Sequence, residues 1–235
     1  MKESINNYDD LLEMLDVLLQ ENSQFSWNNF YANREKQIPF FVNAPDENLV
    51  SYYEQGFLHS GRALELGCGP GRNAIYLAEH GYSVDAVDLS EEGIAWGRER
   101  AAEKNIFVNF INKSIFDLEL EENTYDIIYD SGCFHHIAPH RRMSYLELLN
   151  KALKPNGYFG LTCFIPDGEL GGANISDWEV YRSRSLQGGL GYTEEKLRMI
   201  FHEYEVIEIR KMKEIKQPNY QFGVPFLWTA LFRKR

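Results

Sequence analysis

The chain has 235 residues, with 24 basic and 35 acidic side chains and a formal net charge of −11 at pH 7. This length suits one domain with N-terminal additions and a sizeable core. The acidic excess argues against a nucleic-acid substrate, because phosphate binding needs a basic face.

Neither a secretion signal nor a membrane partner is expected. Acidic residues interrupt the first apolar stretch, unlike a signal peptide, and no apolar run is long enough to cross a bilayer. Cys68, Cys133 and Cys163 are an odd number of cysteines without a paired spacing, which argues against a disulfide framework. We therefore expect a reduced, cytoplasmic protein that acts as a monomer or a homodimer.

The first 60 residues predict an N-terminal helical cap. Leucines at helical spacing indicate an amphipathic helix over residues 8–20, and a second helix is predicted over residues 26–37. A third begins at Pro45-Asp46, where a proline precedes inward-facing apolar residues. Residues 61–235 are then interpreted as the main domain.

In the main domain, predicted strands alternate with predicted helices. Strands are expected at 62–67, 83–88, 107–112, 125–130, 158–164, 204–211 and 222–233, and helices at 72–80, 91–104, 139–153 and 193–202. Ser90 and Thr193 are the expected N-caps. Residues 166–192 have no periodicity and are interpreted as a lid loop. The alternation predicts an α/β fold, a Rossmann-like doubly wound sheet with helices on both faces.

Three alternating glycines follow the first predicted strand. Gly67, Gly69 and Gly71 permit positive φ and close approach of a ligand, and the next helix offers free N–H groups. Asp88 ends the second strand, where its carboxylate can accept both hydroxyls of a ribose. A glycine-rich turn that merely closes a tight connection is the alternative. Together these residues favour a nucleoside-cofactor site.

The spacing of the glycines distinguishes between cofactors. A dinucleotide fingerprint, G-x-G-x-x-G, would need a small residue where Arg72 stands. The pattern Glu65-x-Gly67-x-Gly69-x-Gly71 instead resembles motif I of class I S-adenosylmethionine-dependent methyltransferases. Residues 84–90 (VDAVDLS), 125–130 (YDIIYD) and 153–157 (LKPNG) strengthen this resemblance.

The resemblance implies a seven-stranded, mostly parallel sheet with an antiparallel last strand, and S-adenosylmethionine as cofactor with S-adenosylhomocysteine as product. It also implies contacts of the cofactor's methionine part with Glu65, Gly67, Cys68, Gly69, Gly71 and Asn73, of its ribose with Asp88, and of its adenine with Leu89, Ser114, Ile115 and Phe116. Asp130 and Ser131 would close the site. Ile115 and Phe116 could instead be core residues, and Asp130 could cap the following turn.

The segment after the fourth strand narrows the class of molecule that can accept the methyl group. It reads Asp-Ser-Gly-Cys-Phe-His-His over residues 130–136, without the Pro-Pro tetrad of enzymes that methylate base amino groups. The whole pattern resembles small-molecule methyltransferases of the tellurite-resistance, thiopurine and thiol type. We therefore expect in-line SN2 transfer to a small molecule, with a thiol or chalcogen acceptor favoured. The alternatives are an O- or N-methyltransferase, a nucleotide-binding oxidoreductase, or a non-catalytic cofactor-binding protein.

Candidate acceptor-side residues fall at the carboxyl edge of the sheet, where open α/β sheets bind ligands. His135 or His136 is predicted as a general base, although both could instead satisfy backbone groups in a turn. The predicted substrate contacts are Tyr31, Arg34, Phe40, Phe134 and Cys163. Arg34 could hold a carboxylate or be an ordinary surface arginine. No ligand spacing supports a metal site at Cys133, His135, His136 and Cys163. The cap and the 166–192 loop are expected to roof the pocket together.

Overall fold

A computed structural model describes residues 4–20, 25–217 and 220–235. The N-terminal part contains α1 (Tyr8–Gln20), α2 (Trp27–Ala32), a 3-10 turn (Pro39–Phe41) and α3 (Glu47–Glu54). Residues 1–3 and 21–24 of the predicted cap lie outside the described residues.

One mixed sheet forms the centre of the molecule. Its strands are β1 (Gly61–Leu66), β2 (Tyr82–Asp88), β3 (Asn109–Asn112), β4 (Tyr125–Ser131), β5 (Leu153–Phe164), β6 (Glu205–Lys211) and β7 (Leu227–Arg233). Among the described residues these seven strands lie in the order β3-β2-β1-β4-β5-β7-β6. Strands β1 to β5 pair in parallel, and β7 is antiparallel to both β5 and β6. The predicted fold class is confirmed.

Helices and short turns connect the strands. They are α4 (Arg72–Glu79), α5 (Glu91–Glu103), α6 (Arg142–Ala152), α7 (Asp177–Ser183) and α8 (Glu194–Ile200), with 3-10 turns at Ile115–Asp117, Phe134–His136 and Pro139–Arg141. Hydrophobic clusters cover both faces of the sheet. No helix in the described ranges is long and apolar enough to span a bilayer.

Capping side chains determine where several helices begin. The hydroxyls of Ser90 and Thr193 accept hydrogen bonds from backbone N–H groups of the first turns of α5 and α8, at 3.0 and 3.2 Å. Both caps were predicted. Helix α2 ends at Ala32, five residues before its predicted end, because the Asn33 side chain accepts a hydrogen bond from the Glu35 N–H and turns the chain.

The segment 166–192 is more ordered than its sequence predicts. It contains α7, which Ser176 caps, and Val180 of this helix is fully buried. Asp177 forms an ion pair with Arg142 of α6 at 2.6 Å. A helix of seven residues is too short to show clear periodicity, so the sequence pattern missed it.

Candidate active site

The loop between β1 and α4 brings other groups unusually close to its backbone. Gly67, Gly69 and Gly71 have φ of 66°, 48° and 71°, a region that residues with a Cβ rarely adopt. A Cβ on Gly67 would lie 2.6 Å from Cβ of Cys133, and one on Gly69 would lie 2.5 Å from the Tyr31 hydroxyl oxygen. These glycines therefore fix both the loop conformation and its packing, which a simple tight turn would not need.

Asp88 lies beside this loop at the end of β2. Its carboxylate accepts hydrogen bonds from the N–H groups of Gly69 and Ser90, each at 2.7 Å. Each carboxylate oxygen has two lone pairs, so each can accept one further hydrogen bond. The next residue, Leu89, is 61% exposed and offers an apolar surface. A ribose with two free hydroxyls and an adjoining flat base fit these groups.

Glu65 is a buried carboxyl group beneath the same loop. It accepts a hydrogen bond from the Ala74 N–H in the first turn of α4, at 2.8 Å. Burial raises the pKa of Glu65 to about 8, although Arg72 and the Asn73 side chain act in the opposite direction. An ammonium group, such as that of a methionine moiety, is the partner that would stabilise its ionised form.

The raised pKa of Glu65 predicts how stability depends on pH. An unfolded glutamate loses its proton near pH 4.3, whereas the folded protein holds that proton to about pH 8. The folded state therefore binds more protons across this window, and the free energy of unfolding falls as pH rises through it. Urea unfolding at a series of pH values is expected to show a shallower fall for Glu65→Gln. An identical slope in both proteins would contradict the buried carboxyl.

Two predicted site residues are held by a buried polar network instead of facing open space. The Asn73 side-chain oxygen accepts from the Asp46 N–H at 2.9 Å, and Asp46 pairs with Arg72 at 2.5 Å. Arg72 also donates to the Ser131 hydroxyl at 3.0 Å, and the Tyr129 hydroxyl donates to Asp46 at 2.8 Å. The network ties the N-terminal cap to the start of α4, so Asn73 is committed to Asp46.

The predicted adenine wall follows β3. Ser114 caps the short turn by accepting from the Phe116 N–H at 3.2 Å. Ile115 is buried in the hydrophobic core, as the alternative interpretation expects. Phe116 is half-buried, with the Arg141 guanidinium 5.3 Å from its ring centroid. Only Ser114 and Phe116 thus keep surfaces that a cofactor can reach.

The turn after β4 sends its side chains in different directions. Phe134 is fully buried against Tyr145, Tyr192 and Phe201, and Cys163 of β5 is fully buried in the same cluster. Neither therefore faces an acceptor, which corrects their prediction as substrate contacts. In Cys163 the reason is strand alternation, because its side chain lies on the core face of β5.

His135 and His136 lie together at the carboxyl edge of the sheet. The His135 ring stacks on Phe164 with centroids 3.6 Å apart, and its Nδ1 is buried without a hydrogen-bond partner among the described residues. The His136 ring contacts Trp27 of the cap at 4.9 Å. Burial lowers the pKa of His135 well below its ordinary value and that of His136 to about 4. Both imidazoles are therefore neutral at physiological pH.

The cap and the 166–192 segment both reach these histidines. Leu190 donates its N–H to the His135 carbonyl at 2.7 Å, and a Cβ on Gly189 would lie 3.2 Å from the His136 ring. On the other side, Trp27 contacts His136. The two segments predicted to roof the pocket thus each contact a histidine.

The cap residues proposed as substrate contacts have different surroundings. Tyr31 is buried on Gly69, and burial, with Asp88 and Cys68 nearby, raises the pKa of its hydroxyl. Phe40 is half-buried and stacks on Phe30 at 6.0 Å. Arg34 forms an exposed ion pair with Glu99. Arg34 is therefore a surface arginine, and Tyr31 lies closer to the cofactor loop than to the histidines' end of the pocket.

Two neighbours of the predicted site residues, Asp46 and Tyr145, were not predicted from the sequence. Asp46 holds the first turn of α4, and the Tyr145 hydroxyl donates to Asp130 at 2.7 Å. Neither lies in a motif, so only the three-dimensional contacts reveal them. Within the described ranges no group of three or more His, Cys, Asp or Glu side chains is arranged to hold a metal ion.

The fold and the site are those of a class of enzyme, the methyltransferases that use S-adenosylmethionine. Residues 63–157 match the model of a family described as a methyltransferase domain. An uncharacterized methyltransferase of Schizosaccharomyces pombe is 30% identical over 137 residues, which are 58% of this chain and 92% of the relative. The chain belongs to this methyltransferase family.

Two further comparisons agree with this assignment. A protein of Arabidopsis thaliana named probable thiol methyltransferase 2 is 27% identical over 71% of this chain and 75% of its own length. The fold is shared with the 1,6-didemethyltoxoflavin-N1-methyltransferase of Burkholderia thailandensis, crystallised with S-adenosylhomocysteine. That match has a TM-score of 0.67 and 20% identity, and covers all of this chain and 93% of the other.

Proposed function

We propose that this methyltransferase transfers the methyl group to the sulfur of a small thiol, or to a related chalcogen. The observation that carries the proposal is the neutral, weakly basic pair His135 and His136 at the acceptor end of the site. The name of the Arabidopsis relative, a thiol methyltransferase, is independent support.

The low basicity of these imidazoles favours an acceptor that ionises easily. Proton transfer to a base of pKa about 4, the value at His136, costs about 6 kcal/mol from a thiol and about 16 kcal/mol from a hydroxyl as weakly acidic as water. A thiol therefore needs far less help from the protein than an aliphatic alcohol. Nδ1 of His135, which has no hydrogen-bond partner in the described part of the chain, can accept a hydrogen bond from an acceptor S–H and orient it.

The other residues of the site position the two reactants and exclude water. S-adenosylmethionine, when bound, supplies a sulfonium methyl group that is already a good electrophile. The rings of Trp27 and Phe164 contact the two histidines, and the Tyr31 ring lies against Gly69 of the glycine loop. Such walls exclude water, and their faces can stabilise a sulfonium charge. In-line alignment in a dry pocket is sufficient for large rate enhancement.

The identity of the acceptor atom is tested with three acceptors that share a phenyl ring and differ in the atom to be methylated. The enzyme is incubated with methyl-labelled S-adenosylmethionine and thiophenol, phenol or aniline in separate reactions. We expect label on thiophenol and little on phenol or aniline, because the thiol ionises most readily. Labelling of phenol or aniline but not of thiophenol would contradict the proposal and would make His135 the first candidate base.

We also propose that the protein works in a reducing, cytoplasmic environment. All three of its cysteines, Cys68, Cys133 and Cys163, are free thiols in the structure. Proteins of oxidising compartments more often use cysteines in disulfides.

A further inference from the structure

One carboxylate organises the turn that follows β4. Asp130 is fully buried. Its Oδ1 accepts hydrogen bonds from the N–H groups of Cys133 and Phe134, at 2.8 and 3.2 Å. Its Oδ2 accepts the hydroxyl of Tyr145 at 2.7 Å. The side chain is therefore engaged by donors of the turn and of α6, as the alternative interpretation of Asp130 as the cap of the turn expects.

Tyr145 makes this arrangement rigid. It is fully buried on α6, and its ring packs against Phe134 and Phe159, with centroids 5.1 and 6.1 Å away. Its hydroxyl reaches Asp130 from a different element of the fold. Asp130 therefore links the turn to α6 through the Tyr145 hydroxyl, in addition to binding the turn's own backbone N–H groups.

The turn displays three side chains that face three different walls of the pocket. Cys133 packs against Gly67 of the cofactor loop, where a Cβ would lie 3.0 Å from its sulfur. Later in the same turn, the His135 ring contacts Phe164 and the His136 ring contacts Trp27. A shift of this turn would therefore move both histidines and alter the contact with the glycine loop.

We propose that Asp130 and Tyr145 are positioning residues, which place His135 and His136 for the methyl acceptor by holding the turn between them. The proposal rests on the proposed placement of the acceptor beside the histidines, but not on the identity of the acceptor atom. A displacement of about 1 Å in a group that orients a substrate can cost about 100-fold in rate. Loss of one hydroxyl at Tyr145 is thus expected to affect turnover far more than overall folding.

The titration of Asp130 makes this arrangement detectable as a change with pH. Burial raises the pKa of Asp130 to about 7, while Tyr145 and the turn N–H groups act in the opposite direction. The titratable groups that face it are Tyr145 on α6, Cys133 on the turn and Cys163 on β5. Ionised Asp130 accepts from all three donors, whereas the O–H of protonated Asp130 can donate to the Tyr145 hydroxyl, which reverses that hydrogen bond. The charge beside the turn, and with it the electric field at the histidine rings, should therefore change near neutral pH.

Nuclear magnetic resonance of the histidine rings tests this without any acceptor. The pKa values of His135 and His136 lie well below neutrality, so a movement of their ring signals near pH 7 reports Asp130 rather than the imidazoles themselves. Signals are assigned with His135→Gln and His136→Gln. We expect the movement in the wild type and its loss in Asp130→Asn. Ring signals that stay fixed across neutral pH in the wild type would contradict the claim that Asp130 titrates there beside the histidine turn.

Tyr145→Phe removes only the hydroxyl and keeps the core ring, so it remains informative if Asp130→Asn folds poorly. Tyr125→Phe is the matched control, because the Tyr125 hydroxyl also donates to an aspartate, Asp85, at 2.8 Å, at the start of β4. With thiophenol as probe, we expect kcat/KM to fall about 10- to 100-fold in Tyr145→Phe, with shifted histidine signals and a Kd for S-adenosylhomocysteine that changes far less than kcat/KM.

Two results would overturn the positioning role. One is a Tyr145→Phe protein whose histidine signals match those of Tyr125→Phe. The other is a Kd for S-adenosylhomocysteine that weakens in parallel with kcat/KM, which would indicate general loosening of the site. If thiophenol is not methylated even by the wild type, the thiol proposal fails while the resonance test still decides the role of Asp130 and Tyr145.

Discussion

Replacing Asp88 by alanine is expected to lower the affinity for S-adenosylhomocysteine by about 100-fold to 10,000-fold. Two hydrogen bonds from ribose hydroxyls to a buried carboxylate contribute about 1.5–3 kcal/mol each, and about 1.4 kcal/mol corresponds to a tenfold change in Kd. The substitution also leaves the N–H groups of Gly69 and Ser90 without their acceptor. Isothermal titration calorimetry measures the change directly.

Asp85→Ala provides the matched control for this loss. Asp85 lies in the same strand, and its carboxylate contacts Arg62 at 3.1 Å and Tyr125 at 2.8 Å, away from the glycine loop. We expect this variant to bind S-adenosylhomocysteine like the wild type. Equal weakening in both variants would show that Asp88 acts through folding, and unchanged binding in Asp88→Ala would remove it from the cofactor site.

Gly67→Ala is the second substitution with a large expected effect. The residue has φ of 66°, and its Cβ would lie 2.6 Å from Cβ of Cys133. Left-handed backbone costs about 1–2 kcal/mol for a residue with a Cβ, and overpacking adds about 1–3 kcal/mol. The free energy of unfolding should fall by about 2–5 kcal/mol, as measured in urea, and binding of S-adenosylhomocysteine should weaken because the loop must shift.

Gly56→Ala separates backbone strain from close approach. Gly56 has φ of 76°, but the nearest atom to its Cβ would be in His59, at 3.9 Å. This control should lose only the strain contribution of about 1–2 kcal/mol and keep its affinity for S-adenosylhomocysteine. If both variants lose the same stability, the contact with Cys133 has no energetic weight.

Local sequence patterns predicted the elements that we expect to hold the cofactor. The alternation of apolar runs with capped helices located β1, β2, α4 and α5 to within a few residues, because Ser90 and the glycine loop mark their ends by local chemistry. The position of Asp88 at the end of a parallel strand could be predicted for the same reason, since it follows from the strand assignment alone. Features set by short-range rules are therefore readable from the sequence.

The acceptor side depends on contacts between distant parts of the chain. Phe134 and His135 are neighbours in sequence, yet one ring enters the core while the other stacks on Phe164. That difference comes from the 3-10 turn, which Asp130 and Tyr145 hold. Likewise, Asp46 meets Arg72 across 26 residues of chain. No local pattern encodes such pairings, so the predictions for Phe134 and Cys163 failed where those for the cofactor loop had local support.

A crystal structure of the protein with S-adenosylhomocysteine is the decisive measurement for the cofactor site. We expect both ribose hydroxyls within hydrogen-bond distance of the Asp88 carboxylate, the adenine against Leu89, and the homocysteine part over the loop from Gly67 to Gly71, with its sulfur directed toward His135. S-adenosylhomocysteine bound elsewhere, or bound here with its ribose away from Asp88, would contradict this expectation.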